Sequence, residues 1–226
     1  MFENSNIIII SPHLDDAVFS LASFISRYIS QNNISVINVF SNSNFAYETL
    51  FGDSIEITNK RKQEDILALS ALGVVEIFNI DIDEAPLRGY SLHKIFKNDN
   101  KNYESEQKIV SLIKNQILNF IKPDNILLIP SAFGYHIDHL LVNLSMKEFK
   151  NIKYFYADLP YASSNEYNNV YAEKENYVKK VLKIDISDTE IESHLKICSM
   201  YKTQYLCRFS REITHYLTKN GIHLWH

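Results

Sequence analysis

Short apolar runs rich in β-branched residues alternate with stretches of helical periodicity along this chain, and this alternation limits the folds open to it. The runs are predicted to form buried strands of a largely parallel sheet. They are Ile7 to Ile10, Ser35 to Phe40, Val74 to Ile80, Ile126 to Ile129 and Ile152 to Tyr156. Because strands that alternate with helices are joined by right-handed crossovers, helices cover both faces of such a sheet. The pattern predicts an α/β fold with three α/β/α layers, Rossmann-like, around a mostly parallel central sheet.

Helical periodicity fills the gaps between the predicted strands. One apolar face runs from Val18 to Ile29, and another runs from Ile109 to Ile121 before the fourth strand. Between them, Thr58 is predicted to cap a helix that ends at Gly73, a residue suited to a left-handed terminus. A last helix is predicted from Asp188 to about Gln204, followed by an aromatic, basic tail. With 226 residues in all, positions 1–226 are predicted to form a single domain.

Charge and hydropathy narrow the classes of partner. The formal net charge is -4 and the lysines are scattered, so we expect no nucleic-acid partner. The N-terminus reaches its first strand without a basic region or a long apolar run, so we expect neither a signal peptide nor a membrane span. These features predict a cytoplasmic protein. A homo-oligomer remains possible, since nothing in the sequence decides self-association.

The segment Ser11–Asp16, with the sequence SPHLDD, lies where the first strand gives way to the first helix. His13 and Asp16 are three residues apart across a turn, so an imidazole and a carboxylate can converge on one cation. Asp15 then keeps a free carboxylate. Such a mixed ligand pair suits zinc, and also ferrous iron or manganese. The alternative is that Asp15 or Asp16 only caps the helix, a common role for aspartate.

The segment Gly134–His139, with the sequence GYHIDH, directly follows the fourth predicted strand. His136 and His139 are again one helical turn apart, and Asp138 can orient one of them through a hydrogen bond. On its own, this segment favours a pair of surface histidines at the start of a helix. Ligands bind at the carboxyl ends of strands in such sheets, and both segments map to that edge. A shared metal site explains the two segments together.

Three protein ligands, His13, Asp16 and His139, would leave an open position for water, as a hydrolytic site requires. Asp15 can then act as the base that takes a proton from the water attacking a carbonyl. His136, paired with Asp138, is expected as an imidazolium near the developing oxyanion. From there it can also protonate the leaving amine.

With Pro12 to Asp16 followed far downstream by His136 to His139, the chain resembles the PIG-L/LmbE-like family of zinc-dependent N-acetylglucosaminyl deacetylases. The resemblance implies a LmbE-like fold and hydrolysis of an N-acetyl amide on a small-molecule amino sugar or a glycoconjugate. It implies Zn2+ as the cofactor, with Fe2+ or another divalent metal as the alternative. By motif match it implies the same metal ligands, with the first aspartate as the base and the first histidine of the second motif as oxyanion stabiliser or acid.

Further residues are expected to contact substrate. They are Arg61, Arg88, Tyr135 and Asp158. The resemblance places an arginine such as Arg61 in the substrate pocket, where it could bind sugar hydroxyls or a phosphate. The alternative is an ion pair between Arg61 and Glu64 or Asp65 of its own helix. Tyr135 is either an oxyanion donor or a packing residue.

Two other functions compete with a deacetylase. Asp81 and Asp83 follow the third predicted strand and look like the metal-and-diphosphate motif of a sugar-nucleotide-dependent glycosyltransferase. A transferase would leave both histidine segments unexplained. The second competitor is a catalytically silent carbohydrate-binding module that keeps the metal site. Substrate specificity is expected to reside in the loops Ser41–Asp53 and Ser163–Asn176.

Overall fold

The main sheet brings together strands from both ends of the chain. The structure is a computed structural model that describes residues 2–96, 106–163 and 181–226. The strands of the main sheet are β1 (Asn6–Ser11), β2 (Asn33–Asn38), β5 (Glu76–Asn79), β6 (Ile126–Pro130), β7 (Ile152–Tyr156), β8 (Val181–Ile184) and β9 (Ile222–Trp225). A separate hairpin consists of β3 (Phe45–Ala46) and β4 (Leu50–Phe51). The order in the main sheet is β5-β2-β1-β6-β7-β9-β8.

Helices pack on both faces of this sheet. They are α1 (Asp16–Tyr28), α2 (Ser54–Ala71), α3 (Gln107–Ile117), α4 (Ile137–Ser145), α5 (Asp188–Cys198) and α6 (Cys207–Asn220). One apolar core joins the sheet to α1, α2, α5 and α6, and a second core joins the opposite face to α3 and α4. The predicted three-layer α/β/α architecture is confirmed. None of the helices in the described residues is both long and apolar enough to cross a membrane.

The five predicted strands are the parallel part of the sheet, where β5, β2, β1, β6 and β7 pair in parallel. These strands could be predicted from the sequence because they are continuous runs of buried β-branched residues. Neither β8 nor β9 was predicted. β9 pairs antiparallel with both β7 and β8, so a four-residue strand is defined by partners that are distant in sequence. The predicted tail after residue 204 instead forms α6 and β9.

Two helix boundaries differ from the prediction. α2 begins earlier, because the Asp53 side chain accepts a hydrogen bond from the Glu56 amide at 2.9 Å and caps the helix. Thr58 lies inside α2, and its hydroxyl accepts from the Ser43 amide at 2.8 Å. Gly73 follows this helix with φ of 88°, as predicted. The last predicted helix ends at Cys198 rather than near Gln204.

The order of the strands decides where a ligand can bind. From β1 the chain moves to β2 on one side, and it later returns to β6 on the other side of β1. Loops that leave β1 and β6 in opposite directions open a crevice at the carboxyl edge of the sheet. The SPHLDD segment follows β1 and the GYHIDH segment follows β6. The fold therefore places the two predicted motifs side by side.

Candidate active site

Local hydrogen bonds hold the turn between β1 and α1. The Ser11 hydroxyl donates to the carbonyl oxygen of His13 at 2.6 Å and accepts from the Ala17 amide at 3.0 Å. The Asp16 carboxylate accepts from the His13 amide at 2.9 Å. Asp15 occupies the N-cap position of α1, but its side chain makes no capping hydrogen bond. The capping alternative therefore does not account for the Asp15 carboxylate.

Three side chains from the two motifs meet at one oxygen atom. Asp16 Oδ2 lies 3.0 Å from His13 Nδ1 and 3.1 Å from His139 Nε2. His139 Nε2 is buried and has no hydrogen-bond partner of adequate geometry among the described residues. An orphaned nitrogen beside a carboxylate oxygen and a second imidazole nitrogen is the donor set of a zinc-type cation. These residues could hold a metal.

A carboxylate supports each of the two imidazoles from behind. His13 Nε2 lies 3.0 Å from Asp138 Oδ2, and His139 Nδ1 lies 2.6 Å from Asp158 Oδ1. When these nitrogens donate to the carboxylates, His13 Nδ1 and His139 Nε2 keep the lone pairs that face Asp16. The expectation that Asp138 orients a histidine of its own motif is wrong, since its carboxylate contacts His13. Asp158, expected at the substrate, lies instead behind His139.

Asp138 is itself held by three donors. It accepts hydrogen bonds from the Ala85 amide at 3.0 Å and from Arg88 Nη2 at 2.8 Å, besides its contact with His13. Arg88 also donates from Nε to Glu106 at 3.1 Å. Arg88 was expected to bind substrate, but it is absent from the cavity lining and braces the carboxylate behind His13. Substrate contact by Arg88 is therefore not supported.

His136 differs from the two other histidines in its hydrogen bonds. Its Nδ1 accepts from the backbone amide of Asp138 at 3.2 Å at the start of α4. Because Nδ1 is the acceptor, the neutral ring carries its proton on Nε2, which suits a donor better than a metal ligand. Burial lowers the pKa of His136 well below its usual value, and the charges of His13 and His139 lower it further. The hydrogen bond and the lowered pKa favour a neutral imidazole at His136 over the expected imidazolium, and the Asp138 carboxylate contacts His13 rather than His136.

The charges at the centre favour a cation between the two imidazoles. Burial alone would raise the pKa of Asp16, yet His139 and His13 hold it below its usual range. Burial alone would lower the pKa of His139, yet Asp16 and Asp158 raise it to about 9. The carboxylates that favour protons on these rings also favour a divalent cation in the same place.

Asp15 faces the cavity beside this centre. Its side chain is 13% exposed, and its nearest cationic atom is Arg61 Nη2, 3.7 Å away. Burial raises the pKa of Asp15 to about 6, although the charge of Arg61 opposes the increase. A carboxyl group with this pKa can both accept and release a proton near neutral pH.

Arg61 is buried, and its main partner is one that the sequence analysis missed. Arg61 Nη1 lies 2.5 Å from Glu84 Oε1 and donates to the Ser43 hydroxyl at 2.7 Å. The alternative of an ion pair with Glu64 or Asp65 is wrong. A signal for Glu84 was present, because it follows β5 at the same sheet edge as the two motifs.

A cavity of about 280 Å³ opens above these groups. Its floor carries charged and imidazole side chains, and its walls are largely apolar and aromatic. The residues that line it include His13, Asp15, Asp16, Phe45, Tyr47, Arg61, Glu84, Phe96, His136, Tyr161, Gln204, Arg208 and Phe209. The predicted specificity loop 41–53 contributes Phe45 and Tyr47, whereas 164–176 lies outside the described residues. Tyr135 is not part of the lining, which leaves its expected role as an oxyanion donor without support.

The acidic pair of the transferase alternative lies outside this cavity. Asp81 pairs with Lys62 at 2.6 Å and accepts from the Ser41 hydroxyl at 2.9 Å. Asp83 accepts from the Asn42 side chain at 3.0 Å. Both carboxylates are thus engaged by neighbouring side chains and do not face the motif histidines.

Comparisons with known proteins agree with this architecture. Residues 8–149 match the family model described as PIG-L: GlcNAc-PI de-N-acetylase. A curated relative, 2'-N-acetylparomamine deacetylase of Streptomyces fradiae, is 24% identical over 169 residues, which are 70% of this chain and 58% of that protein. The chain thus spans less than two thirds of that relative.

Two solved structures have the same fold. A deacetylase of the teicoplanin biosynthesis pathway has a TM-score of 0.72 at 17% identity, covering 98% of this chain and 97% of that chain. The N,N'-diacetylchitobiose deacetylase from Pyrococcus horikoshii has a TM-score of 0.57 at 14% identity, covering 94% of this chain and 75% of that chain. The predicted LmbE-like fold is confirmed.

Proposed function

This chain belongs to the PIG-L family of GlcNAc-PI de-N-acetylases, and from that premise we propose that it is a metal-dependent N-deacetylase. It hydrolyses the N-acetyl amide of an amino sugar, free or within a glycoconjugate, and releases acetate and a free amine. The observation that carries the proposal is the orphaned Nε2 of His139 next to Asp16, with Asp138 and Asp158 behind the two facing imidazoles.

His13 Nδ1, Asp16 and His139 Nε2 would hold the cation, for which zinc is our first choice and ferrous iron the alternative. When bound, the cation supplies a Lewis acid that polarises the amide carbonyl and favours ionisation of water. His136 is left out of the ligand set, because its Nδ1 accepts a backbone hydrogen bond and its Nε2 then carries the proton.

Asp15 is the base of the proposed reaction. With a pKa near 6 it is ionised at neutral pH, and it takes a proton from the water as the water attacks the carbonyl carbon. The same proton is then available for the leaving nitrogen when the carbon–nitrogen bond breaks. Asp15 suits both steps better than His136, because a neutral imidazole gives up its last ring proton with difficulty.

His136 stabilises the charge that develops on the carbonyl oxygen. Its neutral ring can donate a hydrogen bond from Nε2 at the start of α4, where the helix dipole also favours negative charge. Arg61 and Glu84 form a buried pair at the edge of the floor. The charge of Arg61 lowers the pKa of Asp15, so that it ionises more readily than burial alone would allow, while Glu84 opposes this effect and holds Arg61 in place.

An acetate-release screen over N-acetylhexosamine compounds tests the proposed function. The purified protein is assayed after loading with zinc or ferrous iron, and again after removal of the metal by a chelator. We expect acetate from at least one N-acetylated amino sugar with metal bound, and none from the metal-free protein. Metal bound without acetate from any substrate would contradict the proposal and favour the silent binding module.

A further inference from the structure

One wall of the cavity combines residues 45–47 with the C-terminal part of the chain, which lies beyond the residues that match the family model. We call Phe45, Tyr47, Gln204, Arg208 and Phe209 the outer wall. The Gln204 side-chain amide donates to the Phe45 carbonyl at 3.0 Å, and the Tyr47 amide donates to the carbonyl of residue 203 at 2.9 Å. Two hydrogen bonds therefore join the hairpin β3–β4 to the segment before α6.

Arg208 holds its guanidinium on this wall by stacking. Its Cζ lies 4.9 Å from the ring centroid of Phe209 and 6.0 Å from that of Tyr47. Aromatic faces orient a guanidinium without consuming its N–H donors. One donor of Arg208 interacts with the Tyr47 hydroxyl, and the others stay available to a ligand. Arg208 is exposed, so a molecule in the cavity can reach these donors.

Arg61 and Arg88 each form an ion pair with a carboxylate, whereas Arg208 has no such partner among the described residues. Among the described residues, the ion pairs of arginine involve Arg27, Arg61 and Arg88. Arg61, the other arginine that lines the cavity, lies between two carboxylates. The charged groups of the floor thus contact one another, whereas the outer wall carries one guanidinium without a carboxylate partner among the described residues.

We propose that Arg208 is a specificity-determining residue that binds an anionic group, a carboxylate or a phosphate, which the substrate carries beyond its N-acetylated sugar. The inference rests on the proposed deacetylase function and extends it to the class of substrate. On the floor, Asp15 and Glu84 flank Arg61, and Asp16 lies beside the imidazoles that would hold the cation, so the guanidinium of the outer wall is the positive charge left to attract an anionic group. An anionic group held there directs the other end of the molecule, with its neutral amide, toward His136 and the metal ligands.

Matched substrates and matched variants test this proposal. The probes are N-acetylglucosamine 1-phosphate, N-acetylmuramic acid, which carries a carboxylate, and neutral methyl N-acetylglucosaminide. Arg208→Gln is compared with Arg208→Lys and with Arg211→Gln, which removes the same charge from an exposed position of α6 outside the cavity. The readout is kcat and KM for each probe with the metal-loaded protein.

We expect Arg208→Gln to lower kcat/KM for an anionic probe by about tenfold more than for the neutral one, through KM, since a charged hydrogen bond is lost. Arg208→Lys should restore part of the loss, and Arg211→Gln should resemble the wild type. The phosphate and carboxylate probes show which anion is preferred. Equal losses on neutral and anionic probes, or equal losses in Arg208→Gln and Arg211→Gln, would overturn the proposal.

A measurement of probe binding tests the role of Arg208 independently of the proposed deacetylase chemistry. If no probe releases acetate, calorimetric titration of the two anionic probes into the metal-loaded protein still decides the role of Arg208. Binding that Arg208→Gln weakens about tenfold and Arg211→Gln leaves intact supports the proposal even then. Affinity that is the same in the wild type and both variants overturns it.

Discussion

Neighbouring aspartates can differ in chemistry because their surroundings differ. Asp15 and Asp16 are adjacent in sequence, yet burial raises the pKa of Asp15 to about 6, whereas His139 and His13 hold that of Asp16 below its usual range. The backbone turn makes this possible, since Asp16 points to the imidazoles and Asp15 points into the cavity. A proton-transfer group and a ligand therefore lie side by side without competing for one role.

Among the residues that support the proposed metal ligands, Asp158 can be tested most directly. Asp158→Asn replaces the carboxylate that holds His139 Nδ1 with an amide, which orients the ring less firmly and makes it a weaker base. We expect the affinity for zinc to fall about 10- to 100-fold. Competition with a fluorescent chelator measures it. Asp83→Asn, which changes an exposed aspartate outside the cavity, is the control, and equal affinities in both variants would contradict this role of Asp158.

A second prediction at the residue scale concerns Asp65 and the stability of the protein rather than its activity. Burial raises its pKa from 3.8 to about 7, despite hydrogen bonds from Tyr201 and Asn38. The folded protein therefore binds a proton that the unfolded chain releases between about pH 4 and about pH 7. The contribution of Asp65 to the free energy of unfolding is thus favourable at low pH and is lost as pH rises through this window.

Urea unfolding of the wild type and Asp65→Asn measures this effect. The free energy of unfolding of the wild type, relative to the variant, should fall with rising pH by up to about 1.4 kcal/mol per pH unit in that window. A difference between the two proteins that does not change between pH 4 and pH 7 would show that Asp65 titrates normally.

The residues that could be predicted from sequence are those whose partners are close along the chain. His13 and Asp16 form such a pair, and so do His136 and His139. The support for these residues could not be predicted in the same way, because His13 contacts Asp138 across 125 positions and His139 contacts Asp158 across 19. Only the fold brings these carboxylates to the imidazoles.

At the scale of elements, the turn between β6 and α4 sets the position of the second motif. Ala132, Gly134 and Tyr135 all have positive φ, so the chain reverses within a few residues and enters α4 at His136. A Cβ atom on Gly134 would lie 2.9 Å from Cβ of Tyr161, whose ring packs 5.5 Å from that of His139. The backbone at Gly134 is therefore tied to the position of the histidines.

Gly134→Ala should displace this turn. We expect it to lower the free energy of unfolding by about 1–3 kcal/mol through backbone strain, with a further loss in kcat because His136 and His139 shift. Gly89→Ala is the matched control, since Gly89 also has positive φ but a Cβ there meets nothing within 4 Å. Thermal unfolding and acetate release measure both variants. If Gly134→Ala and Gly89→Ala changed kcat equally, the close contact at Gly134 would have no effect on the active site.

At the scale of the whole molecule, the C-terminal part completes both the sheet and the cavity. β9 lies between β7 and β8 in the sheet, and α6 carries part of the outer wall. The sequence predicted a helix and a tail here, because short antiparallel strands and a helix with many polar residues give a weak periodic signal. The parallel half was predictable, since its strands are buried on both faces. A single domain of residues 1–226 stays a prediction.

The central claim is that binding of the metal and transfer of the proton belong to different residues of one site. The most direct test is the metal content of purified Asp15→Asn and His139→Ala, measured by mass spectrometry alongside their acetate release. Asp15→Asn should keep the metal content of the wild type while kcat falls about 10²- to 10⁴-fold, and His139→Ala should lose both metal and activity. Full activity in Asp15→Asn, or full metal content in His139→Ala, would contradict the account.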